Sequence, residues 1–128
     1  MFIPYNANPN YIRTGDCTVR AIMIATGYDW NRTYIELCIM GYMMGAMPNT
    51  NVVWRSYLRA RGFKPTLLPD ECPDCYTVRD FCLDHPYGIY VLCTGDGDGT
   101  HVLTVINGSY FDAWDSGNEI PIMYWRRE

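Results

Sequence analysis

Apolar positions along the chain change their period once, near residue 86. Before that point they recur at helical spacing, in segments closed by helix-ending residues. The pattern predicts a first helix from Asp16 or Cys17 to Thr26, capped by Asp16 and closed by Gly27 in the left-handed conformation. A second is predicted over Asn31 to Met47. Here "YIELCIMGYMMGAM", the most apolar stretch of the chain, reads as a buried helix with its methionines in the core. A third runs from Val52 to Arg61 with Gly62 as its stop. A short fourth covers Val78 to Asp84, where Thr77 and Asp80 have capping-box spacing and Pro86 forbids continuation. Residues 1–15, rich in Asn and Pro, read as an extended lead-in, and "LLPDECPDCY" as a loop.

Beyond residue 86 the period is two. "GIYVLC" is an apolar run of strand length, "TGDGDGT" a loop, and "IPIMYW" a last strand. "HVLTVI", "NG" and "SYFDAW" read as strand, tight turn, strand, because Asn-Gly favours the two-residue type I′ hairpin. Helices first and an antiparallel sheet second predict an α+β fold, and 128 residues without repeat or linker suit one domain over 1–128.

Composition narrows the partners. The net charge is −4 and no basic run exists, so nothing in the sequence suits a nucleic-acid backbone. The apolar stretch from Tyr34 to Met47 is too short and interrupted for a membrane span of about 20 residues. "MFIPYNANPN" has neither the charged start nor the apolar run of a secretory signal, so a cytoplasmic protein with reduced cysteines is the expectation.

Against that background Cys17 stands out among six cysteines, because it follows "TGD" and opens a helix. The N-terminal end of a helix carries about half a positive charge and free N–H groups, which favour a thiolate and can hold an oxyanion. Its general base would have to be one of two histidines. His85, in "DHP", sits at a helix end and reads as a solvated cation there. His101 opens the first hairpin strand beside the glycine-rich loop. With a two-residue turn at Asn107-Gly108, Ile106 pairs with Ser109, His101 faces Trp114 and Leu103 faces Asp112. This puts His101, Asp112 and Trp114 on one face. A carboxylate there can orient the imidazole. A three-residue turn would place Asp115 opposite His101 instead; the Asn-Gly preference favours Asp112.

The segments "TGDCTVRA", "THVLTVINGSY" and "FDAWDSG" together resemble the papain-like cysteine-protease superfamily in the order of their parts. That order is a nucleophilic Cys at a helix start, a sheet with His, then Asn or Asp on the next strand. The family's Gly-Ser-Cys corresponds to Gly15-Asp16-Cys17, and its triad Asn with following Ser and Trp to Asp112 with Ala113 and Trp114. The resemblance extends to the peptidase domains of bacteriocin transporters and to small proteins of phages and gut bacteria with a "GDC…RA" start and a "DxWDS" end. It implies a papain-like fold and a thiol hydrolase cleaving an amide, peptide or isopeptide bond. In it Cys17 would be the nucleophile, His101 the base and Asp112 the orienting residue, with a peptide or protein as substrate and no cofactor. A catalytically inactive module that binds a partner or inhibits it is the alternative. The family's oxyanion Gln has no counterpart; Asn10, or Asn8, would supply that amide, with Asn10 nearer in sequence. The family's aromatic residue after the Cys is Thr18 here, and the chain is too short for a second substrate-binding lobe.

Two further motifs carry less. Cys72 and Cys75 form a C-x-x-C in a loop. Zinc would need two more ligands, drawn from Cys82, Cys93 or His85, and no second pair has the spacing. "GDGDG", from Gly95 to Gly99, lacks the rest of a calcium loop and reads as a flexible lid beside His101.

Overall fold

A computed structural model describes residues 1–12, 14–68, 76–95 and 100–127. In order, the elements are β1 (Phe2–Pro4), α1 (Cys17–Thr26), α2 (Trp30–Met44), α3 (Asn51–Ala60), β2 (Phe63–Leu67), α4 (Val78–Asp84), β3 (Ile89–Gly95), β4 (Thr100–Ile106), β5 (Ser109–Asp112) and β6 (Pro121–Arg127). The fold is α+β, with four helices and a six-stranded sheet of order β1-β5-β4-β3-β6-β2.

The sheet is mixed rather than wholly antiparallel. β1 lies parallel to β5, pairing Pro4 with Asp112, while β2 pairs antiparallel with β6. The sequence pattern marks neither as a strand: β1 falls in the extended lead-in, and β2 lies almost wholly in the unassigned stretch between the stop at Gly62 and the "LLPDECPDCY" loop. β1 is three residues long, and β2 buries only Phe63 of its five. As edge strands they tolerate Pro4 and Pro65, which the sheet interior would not. The central strands show the opposite signature. Tyr90 and Leu92 of β3 pack into a core under α4, and Val91 and Cys93 into the larger core under α1, α2 and α3. Burial on both faces is why "IYVLC" has no polar alternation.

The hairpin has the predicted register, with Ile106 opposite Ser109 and Thr104 opposite Phe111. Asn107 and Gly108 take φ of 49° and 80°, the positive pair a type I′ turn demands. β5 ends at Asp112, however, so Trp114 lies beyond the ladder rather than opposite His101 within it.

α2 departs most from expectation. It stops at Met44 because Gly45 turns left-handed (φ 69°), and it buries only the four-spaced stripe Thr33, Leu37 and Gly41. Ile35, Ile39, Tyr42 and Met43 face solvent, and Met44 and Met47 are exposed too, so most of the expected core methionines are surface residues. Gly41 explains the stripe. A Cβ there would meet the Ala46 carbonyl oxygen at 2.6 Å, so the chain folds back onto the helix where a side chain is missing. His85 is half-buried rather than solvated. Its ring stacks on Phe81 at 3.9 Å and donates to the Phe81 carbonyl oxygen. No helix among the described residues is long and apolar enough to cross a membrane. Cys72 and Cys75, and the loop residues Asp96 to Gly99, lie outside the described residues. Cys82 and Cys93 sit in the cores on opposite sides of the sheet, so one ion could not take both.

Candidate active site

Cys17 is the first residue of α1, half-buried against the larger core. Asp16 holds the N-cap position but does not cap. Its φ of −102° and ψ of 23° lie outside the extended region usual there, and its carboxylate bonds none of the helix N–H groups. Arg20, one turn on, pairs with Asp16 Oδ1, while Trp30 Nε1 and Asn8 Nδ2 donate to Oδ2 at 3.1 and 3.4 Å. By contrast Asp29 caps α2 and Thr77 with Asp80 forms the full capping box of α4. Among the described residues the first-turn N–H groups of α1 are therefore left without a side-chain acceptor.

His101, near the start of β4, and the backbone N–H of Val102 lie close enough to Cys17 to favour its thiolate. His101 Nε2 donates to Asp112 Oδ2 at 2.6 Å. That engagement leaves Nδ1 as the ring nitrogen for the thiol. Burial pushes the Cys17 thiol up. The His101 hydrogen bond, the Val102 N–H and the charges of His101 and Arg20 outweigh it and hold the thiol below its usual range. Burial likewise opposes a charged His101, yet the Asp112 carboxylate and Cys17 raise it to about 9. Both shifts favour a thiolate–imidazolium pair. For Cys82 and Cys93 burial outweighs the opposing pull of the N-terminal charge and of Arg55 respectively, and Cys93 is pushed up to about 11.

Asp112, at the end of β5, is buried and fully engaged. Its Oδ2 also accepts from Ser116 Oγ at 2.7 Å and its Oδ1 from the Ala113 N–H at 2.7 Å, with Arg20 Nη2 at 3.8 Å. Trp114 stacks on the His101 ring at 4.4 Å and lies 5.8 Å from the Arg20 guanidinium. Glu119 fixes that indole by accepting from its N–H at 3.3 Å, and accepts from Thr94 through its other oxygen. Asp115 serves elsewhere, accepting from Tyr110 at 2.5 Å and Arg79 at 3.0 Å.

Cys17, His101 and Asp112 are thus brought together. Asn10 is exposed, and its described hydrogen bond is a backbone donation to Asn8 Oδ1. Asn8 is buried, its amide directed at Asp16. Sequence reasoning missed Arg20, Ser116 and Glu119. Asp16 and Arg20 have the i, i+4 spacing of a helical ion pair, a signal that was legible. Ser116 and Glu119 follow the last predicted hairpin residue and depend on a loop path that no periodicity encodes.

Among the described residues no cluster of His, Cys, Asp and Glu could hold a metal ion. No family model, curated protein or solved structure matches the chain.

Proposed function

We propose that the protein is a papain-like thiol hydrolase acting on an amide, peptide or isopeptide bond. The observation that carries the reading is the convergence of Cys17, His101 and Asp112, with a lowered thiol beside the imidazole and a buried carboxylate hydrogen-bonded to it. The Cys17 thiolate attacks the substrate carbonyl, and the N–H groups of the first turn of α1 meet the developing oxyanion. As the C–N bond breaks, the His101 Nδ1 proton passes to the leaving amine, and the acyl group stays on sulfur as a thioester. His101 then takes a proton from water, the hydroxide displaces the thiolate, and the acid departs. Asp112 holds the ring so that Nδ1 faces the sulfur throughout.

The test is the rate of Cys17 alkylation by iodoacetamide against pH, mapped by peptide mass spectrometry. Reaction should begin well below the free-thiol pKa of about 8.5 and move up to it in His101→Ala. A wild-type profile centred on about 8.5 would remove the reading. The second reading, a non-catalytic binding module, draws on the exposed apolar side of α2. Partner binding should then survive Cys17→Ala, which abolishes catalysis.

A further inference from the structure

A cavity of about 370 Å³ opens between the start of α1, the first half of α2 and the turn at 47–49. Gly15, Asp16 and Thr18, which flank Cys17 in sequence, form part of its wall. Consecutive Cα atoms are about 3.8 Å apart, so the wall begins one residue from the nucleophile. The volume is at the small end of ligand clefts, which run from roughly 300 to 1,000 Å³, and suits a single side chain rather than an extended one.

We propose that this cavity is the recognition pocket for a neutral aromatic side chain, of the tyrosine kind, carried by the substrate beside the scissile carbonyl. The proposal rests on the thiol-hydrolase reading and supplies its substrate class. One wall is aromatic: Trp30 and Tyr34 stack at 5.0 Å with 11° between their planes, and Leu37 and Val19 complete the apolar lining. A third ring continues such a stack with little adjustment.

Charge argues for a neutral occupant. Among the described residues Asp16 is the lining's one ionised side chain, and both its oxygens are taken, Oδ1 by Arg20 and Oδ2 by Trp30 and Asn8. A lysine, arginine or acidic side chain entering here would lose water and gain no free counter-ion among the described residues. A phenol is different. Thr18 lines the cavity at 4% exposure, and its buried hydroxyl has no hydrogen-bond partner among the described residues. The ring would also bear on the chemistry, because Trp30 is both wall and hydrogen-bond donor to Asp16, the residue before the nucleophile.

Second-order labelling rates of Cys17 test the pocket. The probes are the chloromethyl ketones of N-acetyl-tyrosine, N-acetyl-phenylalanine and N-acetyl-glycine, with iodoacetamide for thiol reactivity alone. The tyrosyl reagent should exceed the glycyl one by at least roughly tenfold, a free-energy difference of the size of one good aromatic contact. That ratio should fall towards one in Tyr34→Ala, a half-exposed position, and Thr18→Val should erase the preference for tyrosyl over phenylalanyl. Separately, N-acetyl-tyrosinamide added to Cys17→Ala should shift the Trp30 indole N–H resonance. A ratio near one with rapid iodoacetamide labelling at low pH overturns the pocket and leaves the thiolate reading standing. An unshifted Trp30 resonance overturns the pocket whatever the thiol does. Slow labelling by every reagent, with the resonance shifted, overturns the hydrolase reading and with it the pocket's role in choosing a substrate.

Discussion

Replacing Arg20 by Met removes a cation that two buried carboxylates share. Arg20 is 5% exposed, Asp16 5% and Asp112 4%, and the guanidinium pairs with the first and lies 3.8 Å from the second. Breaking a buried pair by deleting one partner costs about 3–5 kcal/mol, because the remaining charge stays buried. Here each carboxylate keeps neutral or cationic company: Trp30 and Asn8 for Asp16, and Ser116, the Ala113 N–H and His101 for Asp112. The lower figure, about 3 kcal/mol, is therefore expected, or a fall in Tm of roughly 10 °C for a chain of this size. The substitution also takes a positive charge away from the Cys17 thiolate, so the thiol rises and the acid limb of the alkylation profile moves to higher pH. Circular-dichroism melting and iodoacetamide kinetics, both on Arg20→Met, measure the two effects; Arg20→Lys should recover part of the second and less of the first. A loss below about 1 kcal/mol with an unmoved acid limb would refute the idea that Arg20 ties the start of α1 to Asp112.

The pH dependence follows from the two shifts. Cys17 is lowered, so its contribution to stability is present above the ordinary thiol value and lost as pH falls through its folded value. His101 is raised to about 9, so its contribution is complete below about 6.5 and lost as pH rises through about 9. Hydrolysis should accordingly be bell-shaped with its alkaline limb near 9, and urea midpoints of wild type and His101→Ala should converge above it. Ser116→Ala deletes one donor to the buried Asp112 carboxylate and should cost about 1–3 kcal/mol by urea unfolding. Gly41→Ala should destabilise by about 1–3 kcal/mol in the same assay, since its Cβ meets backbone rather than a side chain that can turn away.

The parts of the fold that local chemistry dictates were legible in advance. Asn107-Gly108 can do little other than reverse the chain with two positive φ values, and that turn alone set the register bringing Asp112, not Asp115, towards His101. Gly27 and the Thr77–Asp80 box ended and began helices as read. What failed depended on partners distant in sequence. Phe2–Pro4 becomes a strand only because β5 lies beside it, and Phe63–Leu67 only because β6 does. The apolar run of α2 predicts burial simply because it is apolar. The buried side is in fact the one its small residue opens, Thr33, Leu37 and Gly41. Asp16 was a plausible cap, and Arg20, Trp30 and Asn8 drew its carboxylate away.

The mixed sheet has a bearing on when the thiol becomes reactive. Cys17 belongs to the first helix, whereas His101 and Asp112 belong to strands far along the chain; the contact of α1 with β4 through Thr104 and Ala21 closes 83 residues. Contacts of such separation form late, because the intervening loop must be ordered before they reward it. Until β4 docks against α1, Cys17 has neither its imidazolium nor the Val102 N–H and titrates as an ordinary cysteine. Reactivity is thus withheld from a nascent or partly unfolded chain, which exposes its thiols but cannot ionise this one ahead of the rest.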